Sequence, residues 1–197
     1  MVGEAKGRRI AYEASKNRVL SEMSGDGAAV AETAIRLFER FVVPNRYTGG
    51  CYLVTMFLNR YLERERGVTT TPVVGYVNDG TDDIMVSHAW LELDGLKTDI
   101  TLHFTQHPEI QLPGALLVMD RPLLAGRVEH SYHREMNDAG RAENARLSRS
   151  EARHVLQRKA VEHAFMVKCM TDPDLMDAHQ AGAPPGLRYA DFSAVLG

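Results

Sequence analysis

Three residues of this sequence have the types and the order of an activated thiol site: Cys51, His88 and Asp99. Cys51 follows Gly49-Gly50 and opens an apolar run, Tyr52–Leu58, that reads as the first turns of a buried helix. His88 lies inside the β-rich run Ile84–Leu93, and Asp99 in the next run, Leu96–Leu102. A thiol with a pKa near ~8.5 is mostly protonated at neutral pH. A helix N-terminus and an adjacent imidazolium both favour the thiolate, and a carboxylate behind the imidazole orients it and stabilises its cation. The chemistry this implies is nucleophilic attack by sulfur on an acyl carbon.

The two strands must bring His88 and Asp99 together, and the turn between them predicts how. Asp94-Gly95 is among the strongest two-residue hairpin signals. With that loop Leu93 faces Leu96, His88 comes opposite Thr101, and Trp90 opposite Asp99. Side chains alternate with period two, so His88, Trp90, Asp99 and Thr101 share one face. Asp99 is then diagonal to His88, about 7–8 Å away between backbones and within side-chain reach. A three-residue loop would put Asp99 on the wrong face.

Gly49-Gly50-Cys51 at a helix start, Ser87-His88-Ala89-Trp90-Leu91-Glu92-Leu93 and Thr98-Asp99-Ile100-Thr101 together resemble the transglutaminase-like branch of the papain-like cysteine enzymes. The resemblance covers residues 45–101. It implies an α+β fold with a papain/transglutaminase-like core: N-terminal helices, including a buried Cys51-bearing helix, packed on an antiparallel sheet or half-barrel. It also implies a Cys51–His88–Asp99 triad and a thioester intermediate on an amide or ester. Peptidase, amidase, deamidase and transglutaminase share that first half. A catalytically silent member binding peptides or proteins in the same groove is the alternative. Gly-Gly-Cys is also similar to arylamine N-acetyltransferases, but their acidic residue soon after the cysteine is missing here.

The acyl intermediate needs oxyanion donors. The Cys51 backbone N–H is one. The resemblance makes an upstream polar side chain the other, with Asn45 as first candidate and Tyr47 as its substitute. Gly49 and Gly50 let a substrate backbone approach closely, and Trp90, the only tryptophan, either lines the substrate site or packs the core. Read without its partners, Cys51 is more simply a small buried core residue, and it is the order of His88 and Asp99 on a hairpin that turns the reading to catalysis. No cofactor is implied, and metal binding is not expected. His103 and His107 are followed by Pro108 in a non-helical stretch, and His130 and His133 fall on opposite faces of a strand.

The remaining elements must hold this site. Ala5–Met23 reads as a charged helix and Ala28–Val43 as a clearer one. In the second, Val30, Ala34, Leu37, Phe38, Phe41 and Val42 form one apolar stripe that Pro44 should stop. The cysteine helix runs Cys51–Arg66 with Gly67 as its C-terminal cap. Pro72–Val77, Ala115–Met119 and Gly126–Tyr132 are strand candidates, the last two flanking a turn at Asp120-Arg121-Pro122. Arg134–Arg146 reads as loop or exposed helix. Ser148-Arg149-Ser150-Glu151 has the form of a capping box starting a helix to about Met170. That helix should bury Ala152, Val155, Leu156, Ala160, Ala164 and Val167. Thr171–Gly197 shows no period, yet its apolar residues predict an ordered strap anchored by Tyr189 or Phe192.

With 197 residues, 44% apolar and 25% charged content, the chain reads as one domain over residues 1–197. A net charge of −3 gives no case for nucleic acid or an anionic membrane. No apolar run approaches the ~20 residues of a membrane helix, and the first residues do not read as a secretory signal. Two cysteines fit a reducing, cytoplasmic setting. The expected partner is a peptide, protein or small amide or ester, and the sequence leaves room for a homo-oligomer.

Overall fold

The apolar stripe on the second helix is buried along its whole length, and the larger core is built on it. The structure, a computed structural model, describes residues 2–151 and 153–197. Helix α1 (Val2–Glu22) leads into α2 (Gly25–Leu37), which continues through a π-helical turn (Phe38–Val42) into α3 (Val43–Asn45). Pro44 therefore does not stop the helix. It lies directly after the π-helical turn, inside a continuous helix, and the chain leaves the helix at Arg46, which is left-handed at φ 45°.

Helix α4 (Cys51–Arg66) ends at Gly67, left-handed at φ 66°, whose N–H closes on the Leu62 carbonyl. Strands β1 (Thr71–Asn78), β2 (Val86–Leu93) and β3 (Leu96–Thr98) follow. Next come β4 (Leu116–Val118), β5 (Arg121–Leu124) and β6 (Ser131–His133). The main sheet has the order β3-β2-β1-β6 and is antiparallel throughout. A β4-β5 ribbon joins it through one bridge, Asp99 to Leu117, so the whole curls as a half-barrel. Val54, Phe57 and Leu58 of α4 are buried in one core with Leu91 and Leu93 of β2. The fold is mixed α+β.

The 120–122 segment is not a plain turn. Met119 and Asp120, both at positive φ, make the turn, and Arg121-Pro122 already belong to β5, where proline is tolerated on an edge strand.

The C-terminal third differs more. Helix α5 (Asp138–Leu147) is capped by Asn137, whose side chain accepts from the Gly140 N–H. Ser148 closes that helix by donating to the Asn144 carbonyl, so it does not open the next one as a capping box. Helix α6 (Arg153–Thr171) buries Met166, Cys169 and Met170. The expected stripe faces outward: Val155 is 50% exposed and Val167 41%, Ala160 and Ala164 are exposed and Leu156 is half-buried. Ala152 lies outside the described residues. The apolar residues of α6 sit on several faces at once, so periodicity could not select the packed one.

Two further helices, α7 (Pro173–Ala181) and α8 (Tyr189–Leu196), replace the expected extended strap. Asp172 caps α7 by accepting from Asp174 N and Leu175 N, with Pro173 inside the first turn. Phe192 is fully buried against Phe41 and Phe57 and anchors α8, as expected of Tyr189 or Phe192. No helix among the described residues is long and apolar enough to cross a membrane.

Candidate active site

Gly49 and Gly50 bring the chain into α4, and each does so for a different reason. Gly49 is left-handed at φ 69° with the Gln106 side chain against it. Gly50 is buried, and a Cβ there would fall 1.9 Å from the Tyr47 ring. The glycine thus lets the Tyr47 ring lie across the chain immediately before the cysteine. Gly50 provides no side-chain cap for α4, so the first N–H groups, including that of Cys51, lack an intrahelical partner and point out of the helix end.

Cys51 is half-buried and unpaired, and it packs against a cluster of Met56, Ala89, Met166, Cys169, Met170 and Met176. Cys169 is fully buried in that cluster.

The β2–β3 hairpin has the register its turn residues predict. Asp94 and Gly95 both have positive φ, and Leu93 faces Leu96. Pairing then stops at Leu91–Thr98, so Trp90 and His88 never become ladder partners of Asp99 and Thr101. Asp99 instead exchanges both backbone hydrogen bonds with Leu117, at 2.9 Å each. Its side chain still turns to the histidine, and His88 Nε2 donates to Asp99 Oδ2 at 2.6 Å.

With Nε2 engaged, Nδ1 is the ring nitrogen left for the thiol. Burial alone would hold His88 neutral. The Asp99 carboxylate, together with interactions with the Cys51 sulfur, outweighs it, and the imidazole is pushed up to about 10. Burial likewise pushes Asp99 upward, but His88 and the hydrogen bonds from Thr101 N and Oγ1, both 2.9 Å, hold it below its usual range. These are two coupled halves of one buried ion pair.

Tyr132, on β6, is the main residue that sequence reasoning missed. Its hydroxyl donates to Asp99 Oδ2 at 2.9 Å, and its ring stands edge-on to Trp90 at 5.2 Å and to His88 at 6.5 Å. Burial and the Asp99 charge push the phenol far upward, so it stays a donor. It lies in a segment expected to be a strand, but no local signal tied that strand to Asp99. The link depends on β6 pairing with β1, where Val77 faces Tyr132.

Trp90 is buried beside His88, on the face expected. Its ring covers Gly75, where a Cβ would come within 2.7 Å, and its Nε1 donates to Glu92 Oε1 at 2.7 Å. That indole packs and shields the His88–Asp99 pair.

The two oxyanion candidates separate. Asn45 donates one of its two amide hydrogens to the Phe41 carbonyl at 2.8 Å, which ties the side chain to the end of the preceding helix. Tyr47 is the upstream polar side chain brought to the thiol: its ring lies over Gly50, and Cys51 contributes to raising its phenol, after burial.

A second polar chain flanks the site. The Tyr52 hydroxyl shares a hydrogen bond with Ser87 Oγ at 2.7 Å, Ser87 bonds His163 Nδ1, and the His163 ring stacks on Tyr76 at 4.5 Å. It ties α4, β2, α6 and β1 together next to the cysteine. His163 is half-buried there.

Among the described residues no group of three or more His, Cys, Asp or Glu could hold a metal ion. His107 pairs with Glu109 at 3.1 Å and His133 with Ser131 at 2.9 Å. Comparison with known protein families, curated proteins and solved structures finds no match to this chain.

Proposed function

We propose that this chain is a thiol-dependent hydrolase or acyl transferase acting on amide or ester bonds, with a papain-like core of the transglutaminase-like branch. The observation that carries the reading is the His88 imidazole, held through Nε2 by a buried, fourfold-bonded Asp99 while interacting with the half-buried Cys51 at a helix N-terminus. A histidine whose far nitrogen is fixed by a carboxylate, beside a thiol, is the base–orienter arrangement of a nucleophile site.

In this reading the Cys51 thiolate attacks the acyl carbon and the carbonyl electrons move onto oxygen. The Cys51 N–H and the Tyr47 hydroxyl stabilise that oxyanion. Collapse of the tetrahedral species expels the amine or alcohol, which takes the proton from His88, and a thioester remains. Water or an amine then attacks the thioester, His88 removes the nucleophile's proton, and the thiolate leaves. The substrate is a peptide, protein or small amide or ester. No cofactor enters these steps, and two unpaired cysteines suit a reducing, cytoplasmic setting.

Mass spectrometry after iodoacetamide treatment at pH 6 tests the reading, because only an activated thiol alkylates quickly there. Fast labelling of Cys51 over Cys169 supports the enzyme. Equal, slow labelling of both favours the alternative, a catalytically silent protein that binds peptides or proteins in the same groove.

A further inference from the structure

The chain between β3 and β4, residues 100–115, forms neither helix nor strand. A loop of this length in a compact domain is uncommon unless it serves a site. Its base is fixed: Phe104 stacks on Phe38 at 6.4 Å, and the Leu112 N–H donates to Asp79 Oδ2 at 2.9 Å. Its tip is a turn in which the Ile110 and Gln111 N–H groups both donate to the His107 carbonyl at 2.9 Å. Residues 106–110 are exposed, so a loop rooted in the core presents an open end.

That end meets the turn into the cysteine helix. A Cβ on Gly49 would fall 2.8 Å from Gln106 Oε1 and 3.4 Å from its Cδ, so the carboxamide lies against the Gly49 backbone. Gly50, next in the chain, is covered by the Tyr47 ring, and Cys51 contributes to raising the Tyr47 phenol, after burial. An unbroken run of contacts thus leads from the thiol through Tyr47 and the two glycines to Gln106. Gly49 and Cys51 are two residues apart, which keeps their Cα atoms within about 7.6 Å of each other.

Two groups on this rim have hydrogen-bonding capacity to spare. Gly49 is exposed, and among the described residues neither its N–H nor its carbonyl makes a hydrogen bond. The exposed Gln106 side chain makes none either. A carboxamide supplies both a donor and an acceptor, as does a backbone peptide unit. Their complement is another peptide unit, whereas an ester has no N–H to give. We infer that Gly49 and Gln106 form a binding rim for the backbone of an extended peptide, so that the substrate is a peptide or protein chain rather than a small ester. The inference rests on Cys51 being the nucleophile, as proposed above. An extended chain advances about 3.3 Å per residue, so these contacts fall about two residues from the attacked carbonyl.

The test reads alkylation of Cys51 on the full chain with two trialanine probes, one extending to each side of the reactive carbon. Acetyl-trialanyl chloromethyl ketone has chloroacetone as its parent, and iodoacetyl-trialanine amide has iodoacetamide. Each rate is divided by that of its parent, after both are corrected by their rates with glutathione. Fully N-methylated trialanine probes, which have no backbone donor, are the controls. The measurements are repeated in Gln106→Ala, an exposed position, and a melting curve verifies that the variant folds.

Two or more backbone hydrogen bonds predict that one of the two peptide probes outpaces its parent by at least about tenfold in the native chain. N-methylation should erase that advantage, and Gln106→Ala should cut it by about fivefold or more. If Gln106 only seated the Gly49 turn, its loss would change the parent rate and the peptide rate together and leave the ratio in place. Ratios near one for both native probes overturn the rim, and so does an advantage that survives either N-methylation or Gln106→Ala. Failure of the nucleophile reads out separately: iodoacetamide would then label Cys51 no faster than glutathione, whatever the peptide ratios.

Discussion

His88 and Asp99 meet at 2.6 Å although their strands have stopped pairing before reaching them. The ladder ends at Leu91–Thr98, and Asp99 takes its backbone bonds from Leu117. The carboxylate is thus anchored in the β4 ribbon and reaches back across the end of β3, held by Thr101 and Tyr132 as well as by His88. Its orientation is fixed from both sheets, which is the preorganisation an orienting carboxylate requires.

This anchoring determines what Asp99→Asn should do. An amide cannot stabilise the imidazolium, so turnover at Cys51 should fall by about three to four orders of magnitude. The change should also destabilise. Oδ2 accepts from both His88 and Tyr132 and Oδ1 from both groups of Thr101, so the NH₂ of asparagine faces donors whichever way it turns. A loss of about 2–3 kcal/mol in denaturant unfolding is expected. Wild-type kinetics would show that another group orients His88.

Tyr132→Phe isolates one of those bonds. The phenylalanine keeps the edge-on packing with Trp90 and His88 but removes one donor from Oδ2. With less stabilisation the carboxylate binds a proton more readily, so the acid limb of the pH–alkylation profile should move to higher pH. A purely structural role would lower stability and leave that limb in place.

The two cysteines should respond in opposite ways. Cys51→Ala removes the half-buried thiol and should abolish iodoacetamide-sensitive activity with little change in melting temperature. Cys169→Ala opens a void in a fully buried cluster and should cost about 1 kcal/mol while leaving the alkylation rate of Cys51 nearly unchanged. An unfolded Cys51→Ala would make it a core residue.

Stability should depend on pH through the same ion pair. His88 is raised from 6.5 to about 10 on folding, so its contribution is complete below pH 6.5 and is lost as pH rises toward 10. Asp99 is lowered from 3.8, so its contribution is present above about pH 4 and is lost on acidification. Urea unfolding across pH should therefore show a maximum between about 4 and 6.5 with an alkaline decline. His88→Gln should flatten that decline. If the alkaline slope is the same in both proteins, His88 is not charged in the native state.

How much of this was legible in the sequence follows from the range of each signal. The turn behind the His88–Asp99 contact, Asp94-Gly95, is local and survives folding, whereas the strand pairing expected to continue to His88 ends at Leu91–Thr98. The Cys51 helix carries its own start and its Gly67 stop. Tyr132 could not be tied to Asp99, because its position depends on β6 pairing with β1 from across the chain. The Met119-Asp120 turn was hidden for a different reason: neither residue is glycine or asparagine, yet both have positive φ, with Asp120 held by Lys97 at 2.9 Å. Helix α7 does carry a readable start in Asp172-Pro173, a capping signal that is independent of apolar periodicity.

Gly50→Ala probes how the cysteine is presented. A methyl group at Gly50 would fall 1.9 Å from the Tyr47 ring and 2.5 Å from its hydroxyl oxygen, so the ring must leave. Gly50 is not left-handed, at φ −102°, so the backbone itself tolerates alanine and the effect comes through Tyr47 alone. Tyr47 also packs edge-on against Phe41 at 5.1 Å, and displacing it should lower stability by about 1–3 kcal/mol. If the Tyr47 hydroxyl is an oxyanion donor, turnover of an ester should fall about a hundredfold or more. The iodoacetamide rate, which involves no oxyanion, should change far less. Tyr47→Phe should reproduce the turnover loss without the loss of stability. If Tyr47→Phe turns over normally, the phenol only seats the Gly49-Gly50 turn, and the Cys51 N–H needs a different companion.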